Sequence, residues 1–204
     1  SLSGSILIIV AAFLLYLSLA DFNPPENEII HMEKPLAANT IPFGKIELYT
    51  WDIAFGGKGK EMFEAEQKTA QPAKELSGYE RNRDGIIYQL TTLNKLDFVL
   101  LQQVDLKSKR SFFDNQVERF KATFKDYAAS FTLTHKTQAI PFLSKTGAIQ
   151  SGLLTLSKSK PFEVKRIAYQ STYAWPMRLL KPDFGFLLTR YLISNGKQLV
   201  ILNC

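Results

Sequence analysis

The sequence predicts an α/β (α+β) layered fold, and three observations support this class. Segments that alternate apolar and polar residues, as strands do, are separated by two segments with apolar residues at helical spacing. Only strands are predicted after the second helical segment. Asn195-Gly196 joins two alternating segments and predicts a type I′ hairpin turn, because both turn positions then need a positive φ. This order places helices against sheets in one layered domain.

The individual elements follow from local patterns along the chain. A strand is predicted over 46–53, ending at Gly56-Gly57, and the polar residues 58–78 predict a long loop. Apolar residues at helical spacing predict a helix over 79–96. The apolar run at 98–102 is bounded by charge and is typical of a strand buried on both faces. After it we expect a helix over 113–124 and strands over 152–157, 162–168, 186–194 and 198–203.

Residues 1–20 are uncharged, and their central part, residues 6–17, is apolar all round. About 20 helical residues cross the ~30 Å hydrocarbon layer, so the segment predicts either a single transmembrane anchor or a signal peptide cleaved after Ser18-Leu19-Ala20. The anchor is favoured because the uncharged run is longer than a usual signal-peptide core of roughly 7–15 residues. The first basic residue after it is Lys34, which agrees with a domain on the exported side of the membrane. Residues 21–44 contain four prolines and predict an extended stalk.

Charge and cysteine content limit the possible functions. Residues 131–204 contain ten Lys or Arg and two acidic residues, a net charge of +8 against +6 for the whole chain. This excess favours an anionic partner, or else it is balanced by sequence outside this chain. The single cysteine, Cys204, cannot form an internal disulfide, so a packed core must hold the fold. The sequence has no serine nucleophile elbow and no Cys/His spacing of a metal site, and the glycine-rich residues 56–60 lack the G-K-[ST] of a P-loop.

Four segments in register carry a family resemblance. Residues 49–57 read Tyr-Thr-Trp-Asp-Ile-Ala-Phe-Gly-Gly, and residues 100–105 read Leu-Leu-Gln-Gln-Val-Asp after an intervening helix. Two further apolar strands, 151–157 and 197–204, follow in the corresponding order. Over residues 45–204 the chain therefore resembles the endonuclease/exonuclease/phosphatase superfamily, and its membrane-tethered bacterial branch in particular.

The resemblance implies a fold, a chemistry and a partner class. The fold would be a two-sheet α/β sandwich of the deoxyribonuclease-I-like type, of which we expect this chain to hold the N-terminal half, truncated at its C-terminal end and preceded by one transmembrane helix. The chemistry would be Mg²⁺-dependent hydrolysis of phosphodiesters or phosphomonoesters, including a nuclease activity. The substrate would be a phosphate ester, namely nucleic acid, a nucleotide or a phospholipid headgroup, with no obligate protein partner.

The chain departs from the family pattern at two catalytic positions. Asp52 stands where the family has an asparagine, and Gln103 stands where the family has its metal-binding glutamate. These two residues are the candidate catalytic and metal-binding residues. The acid/base His and Asp groups of the family would follow Cys204. The resemblance thus implies a phosphoesterase that is inactive as it stands, or a catalytically dead, membrane-tethered domain that binds phosphorylated ligands.

The two exchanges have two interpretations. Either Asp52 has taken over as the anionic ligand from Gln103, or both positions drifted after catalysis was lost. The sequence favours drift, because Mg²⁺ tolerates little departure from octahedral geometry. Arg110 is the candidate substrate-binding residue, with a solvated Lys-Arg turn as its alternative. His31 and His135 match no family position and are expected on the surface.

Overall fold

The computed structural model describes residues 2–19, 24–25, 27–30, 38–57, 75–93, 95–137, 147–169 and 184–204. Within these residues there are three α-helices and two four-stranded β-sheets, which confirms the mixed α/β class. The helices are α1 (Leu2–Leu19), α2 (Leu76–Thr92) and α3 (Gln116–Thr123). The strands are β1 (Asn27–Ile29), β2 (Leu48–Asp52), β3 (Phe98–Asp105), β4 (Ala128–Thr137), β5 (Ile149–Ser157), β6 (Glu163–Ala168), β7 (Gly185–Leu192) and β8 (Gln198–Asn203).

The two sheets differ in how their strands are paired. The first has the order β2-β3-β5-β4, in which β2 and β3 are parallel and the other pairs are antiparallel. The second has the order β1-β6-β7-β8 and is antiparallel throughout. The parallel pair is joined through α2, as parallel neighbours require a crossover connection. Two strands of the first sheet therefore end at the same edge.

The first sheet lies between helices α2 and α3 on one face and the second sheet on the other. Val99 and Leu101 of β3 pack in one apolar cluster with residues of α2 and α3, including Leu90 and Phe120. On the opposite face of β3, Phe98 meets Tyr191 of β7, with ring centroids 5.0 Å apart. Full burial of one such side chain contributes roughly 1.5–3 kcal/mol. The prediction that this strand is buried on both faces is confirmed.

Several predicted boundaries change in the structure. The helix predicted over 113–124 is α3, and it begins at Gln116 rather than near residue 113. Phe112 and Phe113 have positive φ values, which a right-handed helix excludes. Asn115 caps this helix by accepting a hydrogen bond from the Glu118 backbone nitrogen at 3.2 Å. Strand β4 was not predicted, although residues 130–134 alternate polar and apolar side chains as a strand does.

The predicted hairpin is present, but its turn is not type I′. Strands β7 and β8 pair antiparallel as expected. Gly196 has a φ of +82°, whereas Asn195 is not among the residues with positive φ. The side chain of Asn195 instead accepts a hydrogen bond from the Lys197 backbone nitrogen at 3.0 Å. Residues 193–197 connect the strands, and a loop of this length needs only one glycine with positive φ.

The described part of the predicted stalk contacts the second sheet. Strand β1 pairs with β6, and the Ile41 nitrogen donates to the Leu192 carbonyl oxygen at 2.8 Å. Ile41 is also buried in the cluster between the two sheets. These backbone contacts join the described part of the segment to strands β6 and β7 of the second sheet.

Helix α1 contains 18 residues and no charged residue. Residues 6–10 expose between 51% and 74% of their surfaces although all five are apolar. Among the residues that the structure describes, no helix meets the combined length and apolarity needed to cross a membrane.

Candidate functional site

Asp52 and Gln103 lie side by side at the shared edge of the parallel strands β2 and β3. The Gln103 side-chain nitrogen Nε2 donates a hydrogen bond to Asp52 Oδ2 at 2.6 Å. The other carboxylate oxygen, Oδ1, accepts from the Ala54 backbone nitrogen at 2.9 Å. Asp52 and Gln103 are both exposed to solvent. The structure therefore brings together the two residues that the sequence singled out.

The backbone around this pair is held in unusual conformations. Ala54, Phe55 and Gln103 have φ values of 47°, 49° and 54°, which residues with a Cβ atom rarely adopt. Gln103 lies in a β-bulge, where two residues of β3 oppose one residue of β5. Such conformations cost on the order of 1–3 kcal/mol each and persist only where the surrounding structure enforces them. Three residues in such conformations therefore lie directly beside or within the Asp52–Gln103 pair.

Arg110 forms a buried ion pair with Asp105. Arg110 donates from Nε to Asp105 Oδ2 at 3.0 Å and from Nη2 to Oδ1 at 2.7 Å. Asp105 is fully buried, the Arg110 side chain is only 10% exposed, and Ser111 Oγ also donates to Asp105 at 2.9 Å. The Arg110 guanidinium stacks 3.9 Å from the centroid of the Phe55 ring. A solvated turn is therefore wrong for Arg110, and its role in binding substrate stays a prediction.

Gln116 ties the loop after β2 to the end of β3. Its Oε1 accepts from the Asp105 backbone nitrogen at 2.8 Å, and its Nε2 donates to the Phe55 carbonyl oxygen at 2.9 Å. The same Nε2 lies 3.1 Å from the hydroxyl of Tyr79, which donates to Asp114 Oδ2 at 2.8 Å. Burial raises the pKa of Tyr79 above its ordinary value, so the phenol remains a donor at neutral pH.

Asn203 is a buried residue near the pair that the sequence reasoning did not single out. It lies at the end of β8, is 1% exposed, and accepts a hydrogen bond from Gln102 Nε2 at 2.6 Å. Gln102 precedes Gln103 in β3. The sequence signal that could have identified Asn203 is a polar residue at the end of the apolar strand β8. A polar side chain in such a position is hydrogen-bonded when it is buried.

His135 lies on β4 and is half-buried. Burial lowers the pKa of this imidazole, the nearby Arg110 lowers it further, and Asp105 raises it. His31 lies outside the described residues, as do residues 58–74 of the predicted loop, whereas its last three residues belong to α2.

The described residues provide an incomplete ligand set for Mg²⁺. Among them, no group of three or more His, Cys, Asp or Glu residues could hold a metal ion. Mg²⁺ is often held by one or two carboxylates together with water and substrate phosphate oxygens. Asp52 provides one exposed carboxylate, whereas Gln103 directs its nitrogen, and not its oxygen, toward Asp52. The pair thus offers one carboxylate to a cation, and Mg²⁺ binding at this position stays a prediction.

Comparisons with known proteins gave no match: no family model, curated protein or solved structure is similar to this chain.

Proposed function

We propose that this domain binds a phosphate ester together with Mg²⁺ at the Asp52–Gln103 pair. The observation that carries the proposal is the 2.6 Å hydrogen bond between these exposed side chains at the shared edge of β2 and β3. In α/β sheets, ligands bind outside the carboxyl ends of parallel strands. A bound Mg²⁺ would neutralise charge on phosphate oxygens, and Asp52 would be its one anionic ligand from the protein.

The exchange of residue types supports a compensating change at the site. The superfamily that the sequence resembles has an amide at the end of its first strand and a carboxylate at the end of its second. This chain has the carboxylate at Asp52 and the amide at Gln103, and a hydrogen bond joins them. One acceptor and one donor are therefore kept, with their positions exchanged. Independent drift at either position would leave two amides or two carboxylates in contact, so the geometry supports compensation where the sequence alone favours drift.

Binding is proposed in preference to hydrolysis. The hydrogen bonds described for Asp52 and Gln103 involve each other and the Ala54 backbone nitrogen, and none of them involves a histidine. A positioned general acid or base contributes about 10²–10⁴-fold to a reaction rate. We therefore expect no Mg²⁺-dependent hydrolysis of bis-p-nitrophenyl phosphate by the 204-residue chain. Turnover that EDTA abolishes would make the domain an enzyme instead.

Calorimetric titration with Mg²⁺ tests the site directly. Under compensation, Asp52→Asn weakens Mg²⁺ binding by about tenfold or more, because it removes the anionic ligand. The double variant Asp52→Asn/Gln103→Glu regains binding, because it restores one carboxylate beside one amide. Asp126→Asn removes an exposed carboxylate elsewhere and serves as the matched control. Drift is supported instead if Asp52→Asn changes nothing while Gln103→Glu alone improves binding.

The phosphate part of the proposal needs a separate titration. Inorganic phosphate serves as the probe, added with and without Mg²⁺. We expect phosphate to bind more tightly when Mg²⁺ is present, because the metal and the ligand complete each other's coordination. Phosphate binding that is indifferent to both Mg²⁺ and Asp52→Asn would contradict a shared site.

Membrane attachment through α1, with the domain on the exported side, is part of the same proposal. Its support is the exposed apolar surface of α1 and the absence of charge along its 18 residues. A membrane location would make phospholipid headgroups candidate ligands beside nucleotides and nucleic acid.

A further inference from the structure

The side chain of Asn203 links the two sheets through four hydrogen bonds. Its Nδ2 donates to the carbonyl oxygens of Leu101 and Leu154 at 3.2 and 3.1 Å, and lies 3.4 Å from Thr155 Oγ1. Its Oδ1 accepts from Gln102 Nε2 at 2.6 Å. A buried amide is tolerated only when its donors and acceptor are satisfied, and here each of them has a partner. Asn203 therefore joins β8 of one sheet to β3 and β5 of the other.

The hydrogen bonds of Asn203 contact the residues that lie next to the β-bulge and the first residue of the bulge itself. Leu101 and Leu154 are the last paired residues before the register shifts, and Gln102 is the first residue of the bulge. Gln102 Nε2 also lies 3.2 Å from Thr50 Oγ1 on β2. A row of side chains thus runs from β8 through β3 to β2, directly beside Gln103.

We propose that Asn203 and Gln102 are positioning residues for the Asp52–Gln103 pair. Gln103 holds a φ of 54°, which is unfavourable for a residue with a Cβ atom, so neighbouring contacts must maintain it. The contacts of Asn203 fix the two carbonyls of the last regular pair before the bulge, one on β3 and one on β5, and Gln102 is the first residue of the bulge. Without them the bulge can relax toward regular strand geometry, which redirects the Gln103 amide away from Asp52.

The inference has a spectroscopic test that does not depend on ligand binding. The side-chain amide signal of Gln103 is followed by NMR in the full chain in detergent, and is assigned by its disappearance in Gln103→Ala. We expect Asn203→Leu and Gln102→Met to move this signal to the position of a freely exposed amide. Tyr191→Phe is the matched control, because it removes another inter-sheet hydrogen bond, from Tyr191 to Ser157 at 3.1 Å, near the opposite end of β3. It should leave the Gln103 signal unchanged.

The position of the Gln103 amide signal in the variants decides whether Asn203 and Gln102 have the positioning role. Gln102 is only partly buried, so Gln102→Met carries the test if Asn203→Leu does not fold. An unchanged Gln103 signal in the folded variants, or an equal change in Tyr191→Phe, overturns the positioning role.

A second arm measures Mg²⁺ binding, and this arm rests on the proposed function. Residues that orient a metal ligand typically change the metal affinity by about 10–100-fold, so both positioning variants should bind Mg²⁺ at least about tenfold more weakly. If the unaltered chain binds no Mg²⁺ while the NMR signal moves as expected, the proposed function fails and the positioning role stands. If Mg²⁺ affinity falls with the Gln103 signal unchanged, the positioning role fails.

Discussion

Replacing Arg110 by methionine separates a structural role of this residue from a role in binding substrate. The change removes the guanidinium but keeps an unbranched side chain that can still cover the Phe55 ring. It leaves the Asp105 carboxylate fully buried with one described side-chain partner, the Ser111 hydroxyl at 2.9 Å. Removing one partner of a buried ion pair costs about 3–5 kcal/mol.

The remaining hydrogen bond places the expected loss at the lower end of this range, about 3 kcal/mol. For a chain of this size each 1 kcal/mol lowers the melting temperature by roughly 2–4 °C, so we expect a decrease of about 6–12 °C. A double variant, Arg110→Met with Asp105→Asn, should recover part of this loss because it no longer buries an unpaired charge.

Urea denaturation of the full chain in detergent, followed by tryptophan fluorescence, measures the free energy of unfolding. Lys45→Met is the control: Lys45 also pairs with a carboxylate, Glu47 at 2.7 Å, but its side chain is 82% exposed. We expect the control to leave stability unchanged within error, because exposed ion pairs contribute little. A loss below about 1 kcal/mol for Arg110→Met, with an unchanged denaturant slope, would refute the structural reasoning. A fall in phosphate affinity without a fall in stability would instead support the substrate-binding role.

Three further predictions concern other parts of the chain. Gly152→Ala should destabilise the domain by roughly 3 kcal/mol in the same denaturation assay, because the added Cβ would lie 1.9 Å from the Thr132 carbonyl oxygen. Gly85→Ala is the control: its added Cβ meets nothing within 4 Å, so stability should stay unchanged or increase. Burial lowers the pKa of His135 below its ordinary value of 6.5, so the unfolded chain binds more protons in acid and stability should fall as pH decreases below about 6.5. His135→Gln should flatten the stability profile below about pH 6.5, and an unaltered slope would show that His135 is not its source. Carbonate washing of a membrane fraction should leave the protein in the pellet if α1 anchors it, whereas a soluble product beginning at Asp21 would indicate a cleaved signal peptide.

The sequence by itself determined the parts of this protein that depend on local pattern. An apolar run bounded by charge predicted that β3 is buried on both faces, and helical spacing predicted α2. Two short motifs singled out Asp52 and Gln103, and their place at the ends of neighbouring strands brought them into contact. These predictions succeed because side-chain periodicity directly reports which faces of an element are buried.

Only the tertiary structure decided how those residues are held and what their neighbours do. The sequence gives no sign that Gln103 lies in a bulge, because register depends on the partner strand β5. The sequence predicted either substrate binding or a solvated turn for Arg110, but Arg110 pairs with Asp105 because the chain turns back between them and buries both. Asn203 contacts Leu101 and Gln102 although about 100 residues separate them in sequence. Such contacts form only when two sheets stack face to face, and local periodicity contains no information about which side chains then meet.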